Sequence, residues 1–101
     1  MAKIINSPRF TGTIVGGSEN INFSFPLGVI CKQIIVKTDN ANTTFDFKIV
    51  DKDGDTIYER DDEKGVINEL IELPLMGSYT AQIRNANNDG NVTLKFSVWE
   101  I

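Results

Sequence analysis

TTFDFKIVDKDGDTIYER, Thr43 to Arg60, decides the fold class of this chain. Phe45, Phe47 and Ile49 alternate with Asp46, Lys48 and Val50; Asp51-Lys52-Asp53-Gly54-Asp55 interrupts the pattern, and Ile57 and Tyr58 resume it. A period of two sends successive side chains to opposite faces, so the stretch predicts two β-strands folded about an acidic, glycine-containing turn.

The same period recurs on both sides of this hairpin. Toward the amino terminus, Ile21, Phe23 and Phe25 alternate with Asn20, Asn22 and Ser24, and Phe10, Gly12 and Ile14 alternate with Thr11, Thr13 and Val15. Gly16-Gly17-Ser18 supplies a tight turn between these two runs. Pro26-Leu27-Gly28 reads as a strand end, and the apolar run Val29 to Lys37 as a central strand that holds Cys31. Thr38 to Thr43 is a polar loop whose Asn and Asp side chains can bond their own backbone. Toward the carboxyl terminus, Asp61-Asp62-Glu63-Lys64-Gly65 is the most polar run and reads as an exposed loop. The spacing of Ile67, Leu70, Ile71 and Leu73 also tolerates a helical turn. Pro74 to Gly77 forms a break, after which Tyr79, Ala81 and Ile83 alternate with Thr80, Gln82 and Arg84. A turn closing on Asp89-Gly90 leads to a last strand with Val92, Leu94, Phe96 and Val98 inward and Trp99 outward. Seven to eight short strands with Gly, Asn and Asp turns predict an all-β chain, an antiparallel β-sandwich of jelly-roll-like kind; a small closed barrel is the alternative. Residues 9–101 form one domain, and residues 1–8, ending at Pro8, form an N-terminal arm that either lies at a sheet edge or packs on a partner.

The chain has 101 residues, 41% of them hydrophobic, enough for one core without a metal or disulfide. Fourteen acids against ten bases give a net charge of −4. Eight of the acids and four of the bases fall between residues 45 and 64. No cluster of Lys and Arg stands out in the sequence, so a nucleic-acid partner is not expected. The charge asymmetry can steer one end of the molecule toward the other end of a neighbour. A lone cysteine forms no intrachain disulfide, and no apolar run has the length of a signal peptide core or a membrane span, so synthesis and folding in a cytosol are expected.

The chain contains no histidine. Ser-His-Asp and Cys-His activation of a nucleophile therefore have no base, and the acids crowd turns, where water keeps their pKa values ordinary. No catalytic residues and no cofactor are expected. Asp51, Asp53 and Asp55 match the opening of an EF-hand calcium loop, but Thr56 stands where the sharp-bend glycine belongs and Asp62 where a bidentate glutamate belongs. A hairpin turn at Asp53-Gly54 and a weak calcium site remain the two readings. Trp99 on the outer face suits a subunit or partner contact better than a sugar platform, which presents several aromatics.

From Phe45 to Val98 the chain resembles the small β-sandwich modules of the bacterial pre-peptidase C-terminal type. The resemblance is carried by FDFKIVDKDGDTIYER, by ELPLMGSYTAQIRN with its proline, glycine and aromatic entry to a strand, and by the closing NVTLKFSVW. Those modules sit behind a signal sequence on secreted enzymes, and neither feature is expected here. In whole-chain architecture, a cysteine-poor sandwich with an N-terminal arm, it is similar to accessory structural proteins of tailed bacteriophages, such as capsid decoration or cement proteins. That resemblance implies a non-enzymatic virion protein made in the host cytoplasm and assembled as a homo-oligomer. Its partner would be the major capsid protein or another virion protein, with no nucleic acid and no membrane. The expected contact residues are Ile4, Ile5, Arg9, Phe10 and Trp99, with the acidic loops at 51–55 and 61–64 facing solvent. The competing reading is a free-standing carbohydrate- or calcium-binding β-sandwich module.

Overall fold

In the computed structural model the backbone is described from Ile4 to Glu100 and the side chains from Ile5 to Glu100. Seven strands form one antiparallel sheet: β1 (Ile4–Asn6), β2 (Arg9–Ile14), β3 (Glu19–Thr38), β4 (Thr44–Asp51), β5 (Thr56–Lys64), β6 (Val66–Arg84) and β7 (Gly90–Glu100). The order is β1-β7-β3-β6-β4-β5, with β2 also on β7. β1 and β2 keep a single register on β7, Asn6 opposite Val98 and Arg9 opposite Lys95. They are one edge strand interrupted at Ser7-Pro8, and the Pro8 carbonyl there still accepts the Phe96 amide at 3.1 Å. The described part of the expected arm is thus laid into the sheet; residues 1–3 lie outside the described residues.

Two long strands turn this sheet into a sandwich. β3 pairs with β6 along its whole length, but residues 19–25 face 77–83 while residues 29–37 face 66–75. β4 joins β6 only over 79–84, and β7 joins β3 only over 29–38. Half-sheet A is therefore β5, β4, the end of β6 and the start of β3; half-sheet B is the start of β6, the end of β3, β7 and β1–β2. The spine bends where Pro26, Leu27 and Gly28 bulge opposite Met76 alone, with Gly28 and Gly77 at φ 83° and 93°. An L-residue is strained at such angles, so glycine is what allows the bend. Tyr79 locks it: its hydroxyl accepts the Met76 amide at 2.7 Å and donates to the Met76 carbonyl at 2.9 Å. The short dimension of 19 Å fits two layers about 10 Å apart with their outer side chains.

The core lies between the halves. Phe23 from half-sheet A meets Phe96 from half-sheet B at 4.9 Å between ring centres, and Phe10 and Phe25 pack beside both. Phe45, Phe47, Ile49, Ile34, Leu94 and Val98 are buried around this cluster, as the period of two predicts. Each open flank is bridged. On one, the Tyr58 hydroxyl of β5 donates to Glu69 of β6 at 2.9 Å and Arg60 pairs with the same carboxylate. On the other, the Thr13 amide of β2 donates to Glu19 of β3 at 2.7 Å.

Two sequence expectations need revision, and one open reading resolves as strand. The breaks at Pro26-Leu27-Gly28 and Pro74 to Gly77 do not end strands, because the bulge and an edge position absorb the prolines: Pro74 sits where β6 has β3 on one side only. Residues 66–73 are strand, with Ile67, Glu69, Ile71 and Leu73 inward and Leu70 outward. The polar run 61–64 is the second half of β5, an edge strand whose charges suit its exposure, and Gly65 alone makes the turn into β6.

Candidate functional site

The acidic turn of the 43–60 hairpin is occupied with its own backbone. The Asp51 carboxylate accepts the amides of Asp53 and Asp55 at 2.9 and 3.0 Å, and its carbonyl accepts the Gly54 amide at 3.0 Å. Among the described residues no three acidic or cysteine side chains converge as a metal site. The geometry therefore favours the hairpin-turn reading of Asp51, Asp53 and Asp55. Cys31 is fully buried, and that burial pushes its thiol up to about 11, far from a nucleophilic range. Burial also raises Tyr58, against the opposing pull of Arg60.

What the fold assembles instead is a face. On the outside of half-sheet B, strand register aligns Ile5, Trp99, Ile30 and Pro74 in one row across β1, β7, β3 and β6. With strands about 4.8 Å apart the row spans about 15 Å. Ile5 is 64% exposed, and Leu70 and Met76, on the same face of β6, are 81% and 68% exposed. Leu27, at the adjoining bulge, is more exposed still. Lys32, on a second bulge of β3, stands 4.8 Å over the Trp99 ring and pairs with Glu72 at 2.5 Å, so the apolar row is fixed by a cation–π contact and locally neutral.

Farther along the same face the character changes. Arg9 lies directly opposite Lys95, Lys95 is opposite Ile35, and Lys37 follows two residues on. These residues line a shallow groove of about 500 Å³ with Asp39, whose carboxylate accepts the Asn91 amide at 2.9 Å. Among the described residues Arg9, Lys37 and Lys95 have no ion-pair partner. The outer face of half-sheet A is different again: hydroxyls and amides, typified by the Thr80–Asn22 bond at 2.9 Å, stand beside Asp46, Lys48 and Arg84.

Of the residues expected to contact a partner, Ile5, Arg9 and Trp99 share the outer face of half-sheet B. Phe10 turns the opposite way, into the Phe23–Phe96 cluster, because β2 alternates and its even positions face the core. Ile4 pairs with Glu100 on β7, and its side chain lies outside the described residues. Ile30, Pro74, Lys37 and Lys95 complete the face and were not singled out by the sequence. Alternation marks Lys37 and Lys95 as outward, but only the strand order makes them neighbours of Arg9.

No protein-family model and no curated protein matches the chain. Solved structures do. PliG of Aeromonas hydrophila, a periplasmic lysozyme inhibitor of g-type lysozyme, superposes with a TM-score of 0.54 at 17% identity, covering 91% of this chain and 85% of that one. The Yersinia pseudotuberculosis-derived mitogen superposes with a TM-score of 0.56 at 18% identity, covering 93% and 86%. At these identities the likeness is one of fold.

Proposed function

We propose that this protein is a non-enzymatic binding module that docks on another protein through the outer face of half-sheet B. The setting expected from the sequence is an accessory role on a virion, decorating or cementing a bacteriophage capsid. The observation that carries the docking reading is the row Ile5, Trp99, Ile30 and Pro74, extended by Leu70 and Met76. A contiguous apolar patch held in place by strand pairing is the usual mark of an interaction surface, and an aromatic at its centre suits an anchor. The capsid as partner rests on the architectural resemblance. A stiff sandwich repeated over a shell would also turn weak single contacts into firm attachment.

The test is a photo-crosslinking residue placed at Ser97, within this face, and at Thr80, on the opposite half, in the cells that make the chain. The expected result is one crosslinked partner from position 97, a capsid or other virion protein that sediments with particles, and none from position 80. Ile5→Lys, at an exposed site where folding should change by less than about 0.5 kcal/mol, should abolish the crosslink. Crosslinking from position 80 instead, or a crosslink indifferent to Ile5→Lys, overturns the docking face. A partner that does not sediment with particles overturns the virion setting alone.

A further inference from the structure

The chain carries its whole net charge in one hairpin. Residues 45–64 hold eight acids and four bases, an excess equal to the −4 of the entire molecule. Glu59, Asp61 and Asp62 are exposed on β5, which among the described residues is an edge strand laddered to β4. Arg60, the base between them, is already tied to Glu69. This acidic edge closes the flank over the start of β6, whereas β2, which brings Arg9, closes the opposite flank over the start of β3. Arg9 therefore lies on the flank away from the acidic edge, while Lys95 on β7 and Lys37 on β3, opposite Val66 of β6, carry the basic row across the broad face.

The basic side is arranged against its own interest. Like charges directly opposite on neighbouring strands repel, yet Arg9 and Lys95 hold that position with Lys37 beside them and Asp39 as the one carboxylate lining the groove. An external anionic surface relieves such a row. Among the described residues the exposed acids of the β5 edge supply a surface of the opposite sign on a second copy.

We propose that copies of this chain associate head to tail, the Arg9–Lys95–Lys37 row of one receiving the acidic β5 edge of the next. Because the row of each copy meets the edge of the next rather than another row, the contact is heterologous and propagates into a string or a ring. It uses the charged rows rather than the apolar row that carries the docking, so salt and charge reversal test it separately.

Sedimentation equilibrium tests it at about 0.01 M and about 1 M salt, where charges are screened over about 30 Å and about 3 Å respectively. The expected result is a mass well above the 11.2 kDa monomer at low salt that falls to the monomer at high salt. The row-reversed variant Arg9→Glu/Lys95→Glu and the edge-reversed variant Glu59→Lys/Asp61→Lys should each stay monomeric alone. Mixed in equal amounts they should associate again, since each then meets the opposite sign at both surfaces. A monomer at both salt concentrations overturns the proposal, as does association that survives 1 M salt or a mixture that fails to restore it. The wild-type salt comparison stands even where a variant folds poorly.

Discussion

Asp46 shows how much of this molecule is decided by single side chains bonding backbone. β5 carries an extra residue opposite it, and at that bulge Asp62 takes φ 55° and gives its amide to Asp46 at 2.9 Å. Asn85, itself at φ 55°, donates to the other carboxylate oxygen at 2.7 Å. The Asn85 and Asp62 bonds favour the charged form and hold the Asp46 carboxyl below the usual aspartate range. A carboxyl depressed in the folded state stabilises it above the unfolded value, about 3.9, and the contribution is lost as pH falls through the lower folded value. Asp46→Asn should therefore melt below wild type at about pH 6, with the two curves converging toward about pH 2. A gap in Tm that stays constant over that range would show that the charge on Asp46 is not what matters.

At the scale of elements, the bend in β3 and β6 is the feature on which the two halves depend, and Tyr79 is its fastener. Tyr79→Phe keeps the ring against Phe23, 5.6 Å away, while removing the hydroxyl that serves both the amide and the carbonyl of Met76. The expected cost is about 1 kcal/mol in urea unfolding, with an unchanged denaturant slope; no loss would place the strength of the bend in the glycines alone. This bend also marks where sequence reading stops. The alternation of Phe45, Phe47 and Ile49, or of Val92 to Val98, is local and reports faces faithfully. Pro26-Leu27-Gly28 and Pro74 to Gly77 carry the same residues whether a strand ends or two strands bulge against each other. The difference is a pairing between distant segments. Edge strands mislead for a related reason: the charges at 61–64 suit an exposed edge, and composition alone cannot tell an exposed edge strand from a loop.

At the scale of the whole molecule, the outer surfaces divide into a polar face on half-sheet A, an apolar row and a basic row on half-sheet B, and an acidic margin along β5. Trp99 was legible as an outward residue from alternation, and Ile5 and Arg9 as expected contacts of the arm and its junction. Their company was not, since Ile30, Pro74, Lys37 and Lys95 reach them only through the order β1-β7-β3-β6. The same map bears on the calcium alternative, because the Asp51 carboxylate that would ligate a cation already caps its own turn. Calcium at about 1 mM should leave Tm unmoved, where a site filled to a hundred times its Kd would add about 2.7 kcal/mol; a clear rise would return the acidic turn to consideration. The pairing of Ile4 with Glu100 carries a mechanical consequence. The two ends of the described chain leave side by side from adjacent strands, so a load applied between them meets the β1–β7 ladder one rung at a time and opens it as a zipper. A load passed through the broad face instead spreads over four strands together, so the molecule resists being pulled by its surface far better than being pulled by its ends.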